Sequence, residues 1–395
     1  MRTIKRLVAG AAIVCGAIAF GGVGGCAGQG STTPKVTGST LTLYLSAPSR
    51  TASSEDRDVT AAAQLAFSHA SHSTNHFNVA LQVLHASASD NARTAIQDTS
   101  AIAYIGEVPP GTSAGTVGIT NAEDLLQVSP TDTALELTQT TPAVSGAPSD
   151  YYESLKSYGR TFARVVPTTA AEARAQVSEM RSLGIRKVYI ADDGSPYGRA
   201  IAYAVKHDAG APINAVQGPA NASRVASEGA DGVFFGGSST RAARTFFDSV
   251  AGNDPHVKLL APSALYAQSF VQGLSVAARS HLYVSSPGFL PHNLPATAKS
   301  DFVAPFVAAY HHQPSPQAIF GFEAVSAVLA ALDKAGSSAD ERSTVVRDFM
   351  NLHRSSSVLG SYSIDRYGGP TIAPFVFARV RGTALQPYRF VQANG

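Results

Sequence analysis

From Thr40 to about Val380 the chain alternates short β-type runs with stretches whose apolar residues recur at helical spacing, and this alternation restricts the fold more than any other feature of its 395 residues. Leu41–Leu45 is followed by a helical pattern starting near Asp58, with Val59, Ala62, Ala63, Ala66, Phe67 and Ala70 on one face. A strand at Val79–Leu84, a helix from Asp90, a strand at Ala101–Ile105, a helix near Ser113–Asn121 and a strand at Leu125–Val128 continue the series. It resumes after Phe162 with helix Ala170–Leu183, strand Lys187–Ala191, helix Tyr197–His207, strands Ile213–Val216 and Gly232–Phe235, helix Thr240–Val250, and strands Val257–Leu260 and Leu282–Val284. Such alternation predicts parallel sheets covered on both faces, and two series laid end to end predict an α/β chain of two doubly wound lobes. Helices at Ala296–Tyr310, Gln317–Leu332 and Asp340–Leu352, then β-type runs at Ser361–Ile364 and Pro374–Val380, imply that the chain crosses back between lobes. The expected division is 40–160 plus about 287–355 for the first lobe and 161–286 plus about 356–395 for the second.

The N-terminus reads as an export signal over residues 1–25: basic Arg2, Lys5 and Arg6, an apolar run Leu7–Phe20, then Val23-Gly24-Gly25 before Cys26. Leu7–Phe20 is shorter than the roughly 20 residues a spanning helix needs. Small residues directly before a cysteine resemble the bacterial lipobox, although Val23 stands where Leu is usual. The resemblance implies that Cys26 is acylated, becomes the first mature residue and ties the protein to the membrane. The only cysteines are Cys15 and Cys26, so the mature body has no thiol for catalysis, zinc or an iron–sulfur cluster. Residues 26–39 are small and polar, as in a flexible tether. The formal charge of +2 becomes −1 once the three basic residues of the signal are removed, which leaves no electrostatic case for a nucleic-acid partner.

Seven stretches occur in an order and at spacings that resemble the type I periplasmic binding proteins, in particular their branched-chain amino acid or leucine-binding branch. They are AIAYIGE (101–107), LLQVSPTDTALELT (125–138), FARVVP (162–167), KVYIADDGSPYG (187–198), VFFGGSS (233–239), FGFEAVSAVLAAL (320–332) and YSIDRYGG (362–369). The resemblance implies two α/β lobes that close on a small ligand like a hinged trap. In open α/β sheets ligands sit beyond the carboxyl ends of the strands, here after Ile105, Val128, Ala191, Phe235 and Leu260.

Those ends supply the candidate residues. Ser129-Pro130-Thr131-Asp132-Thr133 reads as a turn into a helix start whose N–H groups and hydroxyls suit a carboxylate, and by resemblance Thr133 matches a ligand-carboxylate contact. The plainer reading is that Asp132 or Thr133 caps a helix. In the loop Glu107–Ser113 the branch offers an early hydroxyl, whereas this chain has Pro109-Pro110-Gly111, and Pro has no N–H to give. Either Thr112 or Ser113 replaces that donor, or the ligand lacks an α-carboxylate. Ser195 and Pro196 form a helix start that aims Tyr197 at the strand ends, where it matches a cleft tyrosine or packs in the wall between lobes. Asp193 either solvates that helix start or meets a cationic group. Ser238 and Ser239 follow Gly236-Gly237 where aromatic residues are common, so a roomier, more polar pocket is expected. Near Ser263 the branch places an acid for the ligand's ammonium, and its absence argues against a simple zwitterionic amino acid unless Asp193 or Asp132 substitutes.

Two patterns point elsewhere. Gly111-Thr112-Ser113-Ala114-Gly115 fits the G-x-S-x-G nucleophile elbow of hydrolases, but Ser113 lies eight residues past Ile105 rather than on a turn ending a strand. His69, His72 and His76 fall at i, i+3 and i+7, yet no carboxylate joins them and a solvated face accounts for the spacing. No P-loop, dinucleotide fingerprint or H-E-x-x-H motif occurs, so no cofactor, metal or catalysis is expected. These readings imply a lipid-anchored substrate-binding protein that captures a small polar or carboxylate-bearing solute and delivers it to the permease of an ABC-type importer. A sensory or scaffold lipoprotein of the same fold is the alternative, with a serine hydrolase using Ser113 a remote third.

Overall fold

A computed structural model describes residues 34–49, 52–74, 76–152 and 159–394; the export signal, Cys26 and the first part of the tether lie outside the described residues. The first strand, β1 (Thr40–Ser46), buries Leu41, Leu43 and Leu45 on one face and Thr42 and Tyr44 on the other, as a strand covered on both sides requires. It pairs in parallel with β2 (Asn78–Leu84) and β3 (Ala101–Ile105), and β4 (Leu126–Ser129) and β5 (Phe162–Arg164) complete a five-stranded parallel sheet in the order β2-β1-β3-β4-β5. Because β5 pairs with β4, Phe162–Arg164 stays in the first sheet, although the sequence reading placed it in the second lobe. The helices on this sheet are α1 (Ser54–His69), α2 (Ala88–Gln97) and α3 (Val117–Ala122). Ser53 accepts the Asp56 N–H as the cap of α1, so that helix starts four residues before the expected Asp58. It ends at His69, so His69, His72 and His76 do not share a helical face; His72 stacks on Phe67 instead.

The second sheet follows α4 (Thr169–Ser182) and is built from β6 (Lys187–Asp192), α5 (Pro196–Ala209), β7 (Asn214–Gln217), α6 (Ala222–Glu228), β8 (Gly232–Gly236), α7 (Thr240–Asn253), β9 (Lys258–Ala261), α8 (Gln268–Gln272), α9 (Val276–Ser280) and β10 (Leu282–Pro287). The chain then returns to the first sheet as α10 (Ala296–Ala298), a π-helical turn (Lys299–Val303), α11 (Ala304–Tyr310), α12 (Ala318–Ala335) and α13 (Arg342–Met350), whose Phe302, Phe306, Phe320, Val328 and Phe349 share one core with Leu43 and Ile105. After the short pair β11 (His353–Arg354) and β12 (Tyr362–Ser363), the strands β13 (Pro374–Arg381) and β14 (Ala384–Gln392) rejoin the second sheet, whose order is β14-β13-β10-β9-β8-β6-β7. Its last two strands run antiparallel, β13 against β10 and β14 against β13. The backbone thus crosses between sheets after β5, after β10 and after β12. Each lobe is a parallel α/β sheet, the second with an antiparallel edge.

Two contacts fix the frame of the first lobe. Arg342 is buried and its guanidinium donates to the carbonyls of Asp98, Ala101 and Glu123, joining α13 to the base of β3. The expected tether is tied down over its described part: Val36 is buried and donates to Asp340 O at 2.7 Å, while Lys35 pairs with Asp340 at 3.1 Å. Among the described residues no helix is long and apolar enough to cross a membrane.

Candidate functional site

At the carboxyl end of the first sheet, backbone donors and buried acids are cross-braced. Glu107, just past β3, accepts hydrogen bonds from Ser46 (2.7 Å) and Tyr104 (2.5 Å), and burial raises its pKa against the opposing effect of these bonds. Ser129 donates to Glu107 O at 2.7 Å and accepts from the Asp132 N–H at 2.9 Å. The Asp132 carboxylate accepts from Gly111 N (2.8 Å), Ser113 N (2.8 Å) and Ala134 N (3.1 Å), which fastens the loop after β3 to the loop after β4. No helix starts there; Leu135–Leu137 forms a single 3₁₀ turn, and Pro142 soon after disfavours helical continuation. Asp132 therefore caps a loop, and the expected helix terminus is not formed.

Both proposed replacement hydroxyls are already engaged within the loop. Thr112 is exposed and donates to Pro109 O at 2.5 Å, and the buried Ser113 hydroxyl accepts from the Glu107 N–H at 3.2 Å. Ser113 opens a 3₁₀ turn rather than ending a strand, and no histidine bonds to it among the described residues, so the nucleophile elbow does not form. Gly111, at φ +81°, presses on Tyr197: a Cβ there would lie 3.3 Å from the Tyr197 Cβ, so the two lobes touch at this point.

In the second lobe Ser195 caps α5 with Pro196 in the first turn, as the sequence suggests. Asp193 braces rather than binds: it accepts from Ser195 N and Oγ with one oxygen and from the N–H groups of Ser238 (3.0 Å) and Ser239 (3.1 Å) with the other. Ser238 and Ser239 are exposed, and Ser239 caps α7, so this pair stands apart from the buried residues. Tyr197 is buried beside the hydroxyls of Thr133 and Ser263, with a well-formed hydrogen bond to neither, and burial drives its pKa well up. Ser263 offers its N–H (2.6 Å) and hydroxyl (2.9 Å) to Glu172, which also accepts from Ser285 at 2.6 Å. An acid is thus present beside Ser263 after all, supplied by α4.

Sequence reasoning missed Glu172, Glu136 and Arg164. On α4, Thr169, Glu172, Gln176 and Glu179 fall at spacings of three and four and are all fully buried, so a polar stripe in an alanine-rich helix was the available signal. Glu172 is fully buried, and burial raises its pKa. Arg164, at the end of β5, is fully buried; Nη1 reaches Thr133 O at 3.4 Å, whereas Nε and Nη2 have no partner among the described residues. Glu136 is pushed up to about 7 by burial and by the charge of Asp132, against its own N–H, Arg164 and Arg199. Thr131 Oγ1, Thr133 Oγ1, Glu136 Oε2 and Tyr197 Oη likewise lack partners among the described residues. Buried polar atoms are nearly always satisfied, so such a concentration at facing strand ends marks a place where hydrogen bonds remain to be made.

The 3₁₀ turn carrying Ser263 leads to Tyr266, which lines a cavity of about 770 Å³ together with Phe289, Leu294, Phe302 and Ile319. This volume suits a small molecule. At its polar edge Glu55 accepts from Gln268 N (3.1 Å), linking α1 to α8, and Asp58 holds His312 (2.9 Å) and Ser315 N (2.9 Å). A larger, open depression of about 1050 Å³ lies against α6 and α7 and takes in only Ser239 of the candidates. It is shallow and remote from the buried polar atoms, so it does not define the site.

A family model described as periplasmic binding protein matches residues 85–384. No curated protein matches the sequence. Among solved structures, the leucine binding protein LivK of Thermotoga maritima superposes with a TM-score of 0.73 at 17% identity, covering 89% of this chain and 98% of that one. An ABC transporter substrate-binding protein from Desulfitobacterium hafniense in complex with Leu gives 0.69 at 18%, covering 88% and 100%. A solute binding protein of an ABC transporter from R. palustris in complex with benzoate gives 0.65 at 16%, covering 90% and 96%.

Proposed function

The chain belongs to the periplasmic binding protein family, and from that premise we propose that it is the exported, lipid-anchored solute-binding component of an ABC-type importer. Two lobes, divided after β5, β10 and β12, close on a small polar solute, and the loaded protein delivers it to the permease; Cys26 carries the lipid. The supporting observation is the meeting of buried, unpartnered polar atoms from both lobes, Thr131, Thr133, Glu136 and Arg164 from the first and Tyr197 from the second, beside Ser263 and Glu172. Of the sequence candidates, Thr131, Thr133, Tyr197 and Ser263 are the ligand contacts in this reading, while Thr112, Ser113, Ser129 and Asp193 hold the loops. The site binds and releases, with no bond made or broken.

The test is differential scanning calorimetry of the purified full-length protein against amino acids, organic acids, amides, alcohols, amines and sugars. A solute at about a thousand times its Kd adds roughly 4 kcal/mol and raises the midpoint by several degrees. No shift with any class refutes solute capture and favours the same fold acting as a sensory or scaffold lipoprotein. Acylation is tested separately: Cys26→Ala moves the protein from the membrane fraction to the soluble one.

A further inference from the structure

Backbone N–H groups of Gly111, Ser113 and Ala134 converge on the fully buried carboxylate of Asp132. Converging N–H groups form a cradle for an anion. Here the chain's own side chain fills it, and the neighbouring Pro109 and Pro110 have no N–H for an incoming anion. A second anion brought to these loops would also meet the charge of Asp132 where water is scarce and like charges repel strongly.

The surroundings hold three more buried acids. Glu136 and Glu107 are buried within the field of Asp132, and Glu172 is fully buried beside Ser263. Two cations act on Glu136, the buried Arg164, which also feels the charge of Asp132, and the exposed Arg199. The unpartnered atoms are the hydroxyls of Thr131, Thr133 and Tyr197, one oxygen of Glu136 and two nitrogens of Arg164. That set can both give and accept hydrogen bonds from neutral groups, and Glu136 can accept from an amine.

Building on the solute-binding reading, we propose that Asp132 is a specificity-determining residue: a built-in carboxylate that occupies the anion cradle, so that the cleft takes a small solute bearing hydroxyl, amide or amino groups and rejects carboxylates. Leucine and benzoate, named with two of the similar structures, both bear a carboxylate. The discriminating position in this chain is the residue between Thr131 and Thr133.

Isothermal titration of the full-length protein with matched pairs tests this, leucine against leucinol and benzoate against benzamide and benzylamine. The expected result is that a member without the carboxylate binds at least tenfold more tightly. Asp132→Ala frees Gly111 and Ser113 N–H, so its affinity for the carboxylate members rises at least tenfold, and acetate raises its melting midpoint but not that of the wild type. Asp132→Asn keeps the shape and removes the charge, and reduces the discrimination at least threefold even where the alanine variant fails to fold. Wild-type preference for the carboxylate member, unchanged discrimination in Asp132→Asn, or no acetate effect on folded Asp132→Ala each overturns the proposal. If no member of any pair binds the wild type, acetate rescue alone decides whether Asp132 fills an anion cradle, while the calorimetric panel separately decides the solute-binding reading.

Discussion

Thr133 and Tyr197 allow the strain in the candidate site to be measured without knowing its ligand. Both hydroxyls are buried, they lie side by side, and neither makes a well-formed hydrogen bond among the described residues. A buried hydroxyl without a partner carries a desolvation cost of about 1–3 kcal/mol, and replacement by an apolar group of the same shape removes that cost. Thr133→Val and Tyr197→Phe are therefore each expected to stabilise the protein by about 1 kcal/mol, and the double variant by about 2 kcal/mol, with a coupling below about 0.5 kcal/mol. Ser263 keeps its bonds to Glu172 in all three variants, so no new unpaired group is created. For a fold of about 360 residues, 1 kcal/mol moves the midpoint by only about 1.3 °C, so urea titration followed by far-ultraviolet circular dichroism is the better assay. Tyr197→Phe should at the same time weaken binding of leucinol or benzamide, whichever titrates, by about tenfold. Destabilisation of about 1 kcal/mol by each single substitution, with the double variant no worse than either, would show that the hydroxyls bond to each other and refute the reasoning.

Three further outcomes follow from the geometry. Glu136 holds a proton in the folded state up to about pH 7, whereas the ordinary value is 4.5, so the folded protein binds more protons than the unfolded chain between these limits. Stability should accordingly fall as pH rises through that window, by on the order of 3 kcal/mol, and Glu136→Gln should lose this part of the pH dependence in urea midpoints taken at about pH 5 and about pH 8. A Cβ on Gly321 would lie 2.1 Å from Val59 O, so Gly321→Ala forces α1 and α12 apart and should cost about 3 kcal/mol by urea titration; a loss under about 1 kcal/mol would show that the helices yield. Glu55→Ala removes the acceptor of the Gln268 N–H, and should lower stability by less than about 1 kcal/mol while speeding hydrogen exchange at that amide.

The strands were legible because burial on both faces demands runs such as Leu41–Leu45 and Ala101–Ile105, and these lie within a residue of their observed ends. β14 was not, since its half-buried sequence ALQPYRFVQ carries Pro387, which an edge strand tolerates but which reads as an interruption. The start of α1 was misplaced because the capping pair Ser53 and Asp56 precedes its apolar stripe. In the site, Thr133, Tyr197 and Ser263 could be proposed from their places after strand ends. The roles of Asp132 and Asp193 could not, because a sequence shows an acid but not the N–H groups that surround it. Glu172 meets Ser263 across 91 positions of chain, a separation that no local pattern reveals.

The two aspartates show how a trap of this kind can combine rigid jaws with an incompletely paired bite. Asp132 and Asp193 each tie together the loops of their own lobe, with buried or half-buried charge-assisted bonds that are stronger than neutral ones. Contacts between the lobes are more mixed: bonds from Gln268 N to Glu55, from Thr169 N to Thr133 O and from Leu135 N to Thr169 Oγ1, an apolar cluster in which Leu137, Tyr152 and Phe162 join Val177, Ile190 and Ile201, and hydroxyls of Thr133 and Tyr197 that face each other without pairing. Closing the lobes in the proposed mechanism therefore desolvates Thr133 and Tyr197 without supplying partners for their hydroxyls. A solute that supplies their missing partners binds the closed arrangement better than the open one, and that difference in affinity is what shifts the population. Filling the same gap with apolar groups should stabilise the protein and impair the trap, so stability and binding are predicted to move in opposite directions at these two positions.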